Sequence, residues 1–137
     1  MQTKTSFIAR YAETDQMGIV HHSNYPIWFE AGRTDYLRKT GTSNSSIEAD
    51  GMLLPLSEMY CNFKTPAKYE EEIIVSTKIG KMSCVRIEFE YEVLNGTDGK
   101  LLATGRTVHA WTDKALKPLN LQKKAPKVYS ILENSIE

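Results

Sequence analysis

The stretch NYPIWFEAGRTDYLRKTG, residues 24–41, decides the fold, because its apolar and small residues recur with the period of an α-helix. Those residues stand at i, i+3, i+4, i+7 and i+11, which is one stripe facing a core: Tyr25, Trp28, Phe29, Gly32 and Tyr36. The pattern predicts a helix over Asn24–Thr40, with Ser23 or Asn24 as N-cap and Gly41 ending it. At about 1.5 Å per residue, this helix is about 25 Å long and crosses a small domain.

The second half of the chain alternates apolar with polar residues, which is the period of a β-strand. Strands are predicted at residues 73–79, 85–93 and 101–111. Upstream, residues 53–64 predict a strand whose apolar register slips between Leu56 and Met59, which Pro55 or a bulge could explain, and residues 3–12 give a weaker strand. Gly80–Ser83 and Asn95–Gly99 contain residues that tolerate tight turns, so both are predicted hairpin turns.

Two further segments are less regular. Thr42–Gly51 is interpreted as a short helix or a loop, and a last helix is predicted from about Pro126. The whole chain, residues 1–137, is interpreted as a single α+β domain in which an antiparallel sheet of about five strands carries one long helix on a face. A sheet with unpaired edges and one helix to cover it favours association, so at least a dimer is expected.

Composition excludes several classes of function. The chain has 17 basic and 17 acidic residues, so no global field attracts nucleic acid or an anionic membrane. No apolar run reaches the length of a signal peptide or a membrane span, and a cytoplasmic protein is expected. Cys61 and Cys84 have no metal-ligand spacing, so reduced thiols and no metal site are expected.

Polar chemistry is concentrated just before the predicted helix, in YAETDQMGIVHHSNYPIWFE, residues 11–30. Gly18 permits a sharp bend and a close approach to a ligand. The free N–H groups near His22 or Ser23, at the helix start, can polarise a carbonyl. Asp15 could then act as a nucleophile or as a general base. A thiol leaving group, with a pKa of roughly 8.5, would depart without much help from an acid, so a thioester suits this site.

The motif carries a family resemblance. Residues 15–25, DQMGIVHHSNY, followed by Trp28, Phe29, Glu30 and Arg33, resemble the signature of 4-hydroxybenzoyl-CoA thioesterase-like hotdog proteins, and most closely their acyl-CoA thioesterase branch. The resemblance implies a hotdog fold and hydrolysis of an acyl-CoA to a carboxylic acid and free coenzyme A. It implies that Asp15 is the catalytic carboxylate, that the His22 N–H polarises the carbonyl, and that no cofactor is needed.

The resemblance also implies where the substrate binds. Gly18 would let the thioester approach, and Lys81, Met82 and Ser83 would contact the pantetheine and phosphates of coenzyme A. Tyr25 has two interpretations, a wall of the acyl pocket or a core residue. The resemblance further implies homodimers that assemble into a homotetramer, and this assembly is expected here.

Other interpretations stay open at this point. A hotdog hydratase or dehydratase, a thioesterase acting on acyl carrier protein, and a non-catalytic acyl-CoA-binding protein would use the same fold, since function lies in the site. His109 alternates with Trp111 along a strand and is interpreted as a structural histidine. His21 and His22 are adjacent, and because neighbouring side chains are expected to point apart, a metal site between them is not expected.

Overall fold

The computed structural model describes residues 1–137. The strands, in chain order, are β1 (Thr3–Ile8), β2 (Met52–Leu53), β3 (Leu56–Phe63), β4 (Glu72–Met82), β5 (Arg86–Asn95), β6 (Leu101–Ala110) and β7 (Thr112–Asp113). The helices are α1 (Asn24–Thr40), α2 (Asn44–Ala49), α3 (Leu121–Lys124) and α4 (Pro126–Ser135), and a single 3-10 turn spans Tyr11–Glu13.

The five long strands form one sheet in the order β1-β4-β5-β6-β3. Every neighbouring pair is antiparallel, and β2 and β7 pair separately. Helix α1 packs on one face of this sheet, mainly against β4 and β1. The predicted α+β class, with about five antiparallel strands around one long helix, is therefore confirmed.

Helix α1 has the predicted bounds, and every residue of its predicted stripe is buried. Gly41 ends the helix at φ 102°, a conformation that favours glycine, and its N–H donates to the Arg38 and Leu37 carbonyls. The predicted side-chain cap is wrong. Ser23 is in helical conformation and its hydroxyl contacts His21 Nδ1, whereas the Asn24 side chain donates to the Glu13 and His21 carbonyls.

The approach of α1 to the sheet depends on two glycines. A Cβ at Gly32 would lie 2.9 Å from Val75 Cγ1, and one at Gly105 on β6 would lie 2.6 Å from Phe29 Cε2. The Phe29 ring lies directly on Gly105 and stacks on Tyr91, with ring centroids 4.4 Å apart. Side chains at either glycine would push the helix off the sheet.

Two predicted details of the strands have different outcomes. The register slip predicted between Leu56 and Met59 is confirmed, as a bulge between Leu56 and Glu58 at the start of β3. The predicted turn at Gly80–Ser83 is wrong, because the register shifts between Ile79 and Lys81 and β4 then continues to Met82. The chain reverses after it, where the Ser83 hydroxyl accepts the Val85 and Arg86 N–H groups.

Gly105→Ala is expected to lower the free energy of unfolding by about 1–3 kcal/mol, because the added methyl group overlaps the Phe29 ring. Denaturant unfolding followed by circular dichroism measures the loss. The double variant Gly105→Ala/Phe29→Leu supplies the control: it should lose less than the sum of the two single variants. Strict additivity would contradict the assigned contact.

Candidate active site

Asp15 is the first residue of a tight loop, which is closed by two backbone hydrogen bonds of Asp15 itself. Its backbone N–H donates to the Ile19 carbonyl at 2.9 Å, and its carbonyl accepts the Gly18 N–H at 3.0 Å. One carboxylate oxygen, Oδ1, accepts the Met17 N–H at 2.8 Å, while no group of the chain bonds the other oxygen. Gly18 adopts φ +79°, where the loop turns back. The loop therefore presents a half-buried carboxylate with one oxygen unclaimed.

The amide of His22 is the second feature of the site. The neighbouring amides are engaged, since the His21 N–H donates to the Glu13 carbonyl at 2.8 Å and the Ser23 N–H to His21 Nδ1 at 3.2 Å. The His22 N–H makes no hydrogen bond within the chain. It lies just before α1, where the helix dipole favours negative charge. It is thus available to a carbonyl oxygen or an oxyanion.

A cleft of about 300 Å³ brings these groups together. Asp15, His22 and Tyr25 all line it, and its other walls are Met17, Ile19, Val20 and the segment 63–66 that follows β3. Gly18 does not line the cleft but turns the loop at its edge. Sequence reasoning missed Lys64, which adds a positive charge to the lining, because only the fold brings the end of β3 beside the Asp15 loop.

Tyr25 serves the core and the cleft at once. It is buried, and its ring contacts Trp28 and Phe63 with centroid distances of 4.8 and 4.9 Å. Burial, followed by the nearby Cys61 and Glu71, raises the pKa of its hydroxyl to about 12, so it remains protonated. Tyr25 supplies a rigid neutral wall rather than an acid or a base.

Lys81, Met82 and Ser83 lie elsewhere in the single chain. They line a separate cleft of about 380 Å³ with Glu58, Arg86 and other residues at the ends of β4, β5 and β6. Glu58 is near the start of β3, whereas Phe63, in the Asp15 cleft, is at its end. One chain therefore does not unite these three residues with Asp15.

His109 closes a directional chain of hydrogen bonds beneath α1. Arg33 can only donate, so Tyr91 accepts from it at 3.3 Å, and the Tyr91 hydroxyl bonds Thr107 at 2.7 Å. Thr107 bonds His109 Nε2 at 3.0 Å, and Nδ1 bonds the Leu54 carbonyl at 3.1 Å. Since that carbonyl can only accept, Nδ1 carries a proton, and in the neutral form of His109 the Nε2 atom can accept from the Thr107 hydroxyl. The structural role predicted for His109 fits this arrangement.

Two other classes of feature bear on function. No group of three or more histidine, cysteine or acidic side chains is arranged to hold a metal ion. Among the helices, none has the length and apolar character needed to span a membrane.

Comparison with known proteins gives consistent matches. The family model described as Thioesterase-like superfamily matches residues 9–129. A putative acyl-CoA thioesterase of Bacillus subtilis, YneP, is 34% identical over 134 residues, covering 97% of this chain and 96% of that protein.

Solved structures agree. A DHNA-CoA thioesterase from Staphylococcus aureus superposes with a TM-score of 0.93 at 34% identity, covering 97% of this chain and 89% of that one. A hypothetical protein from Thermus thermophilus superposes with a TM-score of 0.90 at 34% identity, covering 100% of this chain and 99% of that one. The sheet and central helix described above are thus those of the hotdog thioesterases.

The buried His109 should make stability depend on pH. Burial, and secondly the charge of Arg33, lowers its pKa from 6.5 to about 4, despite the opposing Leu54 carbonyl. Between these values the unfolded chain binds the proton more strongly, so stability should fall as pH drops from 6.5 to 4, by about 3 kcal/mol at most.

Denaturant unfolding at several pH values measures this dependence. His109→Gln should flatten the slope over that window, while His22→Gln, at an exposed histidine, should keep it. An unchanged slope in His109→Gln would contradict the assignment.

Proposed function

Because the chain belongs to the thioesterase-like superfamily, we propose that it hydrolyses an acyl-CoA thioester to a carboxylic acid and free coenzyme A. The observation that carries the proposal is the shared cleft, which Asp15 and His22 both line. Thioester hydrolysis needs a group that attacks or activates water and a donor for the oxyanion. A carboxylate can serve as the first and a free amide as the second.

In one form of the mechanism, the Asp15 carboxylate attacks the thioester carbon while the His22 N–H holds the carbonyl oxygen. The C–S bond then breaks, the thiolate takes a proton from water, and a second water hydrolyses the acyl-aspartyl anhydride. In the other form, Asp15 takes a proton from water as hydroxide adds to the carbon, the C–S bond then breaks, and the leaving thiolate takes that proton back from Asp15. Both need only water as co-reactant, so the proposal includes no cofactor.

The coenzyme A part of the substrate is proposed to reach a second subunit. Strand β3 is an edge strand with both faces largely exposed, and its exposed apolar residues include Leu56, Met59 and Tyr60. If two copies pair β3 antiparallel about a two-fold axis, the start of one β3 meets the end of the other. The partner subunit's Lys81, the partner's Met82 and the partner's Ser83 then approach the Asp15 cleft, where lysine suits a phosphate.

The full proposal is a cytoplasmic enzyme whose homodimers assemble into a homotetramer. The exposed β3 edge supports the dimer, and the tetramer is what the resemblance of the motif implies. Within the dimer, the apolar cleft walls would receive the acyl chain.

Asp15→Asn should lower kcat by at least about a hundredfold, because the amide can neither attack nor accept a proton. A thiol-reactive dye measures coenzyme A release from a panel of short, long and aromatic acyl-CoA esters. Circular dichroism and light scattering should show an unchanged fold and assembly. Gln16→Ala, at the exposed neighbouring residue, is the matched control and should retain wild-type rates.

Several outcomes would contradict this assignment. Near-normal turnover in Asp15→Asn would remove the mechanism. Hydration of an enoyl-CoA without thiol release would indicate a hydratase, and preference for acyl carrier protein substrates would indicate the other thioesterase class. Tight acyl-CoA binding without any turnover would indicate a binding protein.

Met59→Glu should shift the protein from dimer or tetramer to monomer, because pairing of β3 would bury a carboxylate beside its symmetry mate. Light scattering coupled to size exclusion measures the mass. Leu116→Glu, at a residue that is 63% exposed and lies outside the sheet, is the control and should leave the mass unchanged. A monomeric wild type, or an unchanged mass in Met59→Glu, would rule out this interface.

A further inference from the structure

Glu13, two residues before Asp15, is a buried carboxylate with several hydrogen-bond donors around it. Its side chain is 5% exposed. Oε1 accepts the Arg10 N–H at 2.8 Å and Arg10 Nε–H at 3.3 Å, and Oε2 accepts the Trp28 indole N–H at 2.8 Å. Its carbonyl accepts the His21 N–H at 2.8 Å and the Asn24 side-chain amide at 2.9 Å.

These bonds join two segments that carry the proposed chemistry. The backbone bonds tie Glu13 to residues on either side of His22, and the bond to Trp28 ties it to the second turn of α1. Asp15 follows in the same short segment. The relative position of the Asp15 loop and the helix start therefore depends on Glu13.

The charge of Glu13 suits a fixed anchor. Burial by itself raises the pKa of the carboxyl group, but the bonds from Arg10 and Trp28 and the charge of Arg10 outweigh it and lower the pKa. Glu13 thus stays anionic at neutral pH. With three donors on two oxygens and little access to the surface, it is unsuited to attack a substrate.

We propose that Glu13 is a positioning residue for thioester cleavage, whose carboxylate bond to Trp28 aligns the Asp15 carboxylate with the His22 amide. The inference rests on the proposed function, since it concerns the same cleft. Misplacement of reacting groups by about 1 Å can cost about a hundredfold in rate. Loss of the bond between Glu13 and Trp28 is therefore expected to lower kcat. Binding of coenzyme A, which needs no such alignment, is expected to change little.

Two conservative variants weaken this bond from opposite sides. Glu13→Gln removes the charge and leaves one acceptor oxygen for Arg10 and Trp28, so the bond from Trp28 is either lost or no longer charge-assisted. Trp28→Phe removes the indole donor and keeps an aromatic ring beside Phe7 and Tyr25. If the bond between Glu13 and Trp28 aligns the site, both variants should lower kcat for the same reason.

The experiment is a double-mutant cycle on the full-length protein, with kcat, KM and the free energy of unfolding measured for each variant. Each single variant should lose at least about tenfold in kcat with KM within about threefold of wild type, and the double variant should lose no more than the worse single variant. Trp111→Phe is the matched control, because its buried indole N–H has no hydrogen-bond partner. It should keep the wild-type kcat.

The outcomes separate two failures. If the wild type releases no thiol, the proposed function fails and this inference fails with it. If the wild type is active but the variants keep kcat, change mainly KM, or lose kcat additively, only the positioning role is overturned. Should Glu13→Gln not fold, the kcat and KM of Trp28→Phe against Trp111→Phe decide the matter.

Discussion

The contact of α1 with the sheet is the constraint on which the rest of the structure depends. Phe29 lies on the bare backbone of Gly105 and stacks on Tyr91, and Gly32 brings the next turn equally close to β4. This contact fixes the height and rotation of the helix. The position of its N-terminus, and therefore of the His22 amide, follows from packing against strand residues that lie far from His22 in the sequence.

The helix and the sheet could be predicted because their signals are local. The stripe from Tyr25 to Tyr36 and the left-handed Gly41 define α1 without reference to any other segment. The hairpin after β4 could not be placed in the same way. Glycine is common in turns, yet Gly80 lies within β4 against the Glu90 side chain. The turn begins at Ser83 instead, whose hydroxyl accepts the Val85 and Arg86 N–H groups.

The candidate site divides along the same line. Asp15, Gly18 and His22 form a compact motif, so sequence alone could name them. Lys64 enters the cleft only because β3 ends beside the Asp15 loop. Glu13 reads as one acid among several, and its distinguishing bond is to Trp28, 15 residues away. Lys81 belongs to the proposed site only through a second subunit, which no single chain reveals.

The proposal gives Glu13 and Asp15, two acids in one segment, different roles. Reactivity requires a carboxylate with an unclaimed oxygen and access to a substrate, since each hydrogen bond to the anion stabilises it and lowers its basicity. Glu13 is buried, and both of its carboxylate oxygens accept hydrogen bonds. In Asp15, one oxygen accepts the Met17 N–H and the other accepts no hydrogen bond from the chain. In the proposed mechanism, Glu13 therefore holds the Asp15 loop against the start of α1. Asp15, which lines the same cleft as His22, is left able to meet a thioester.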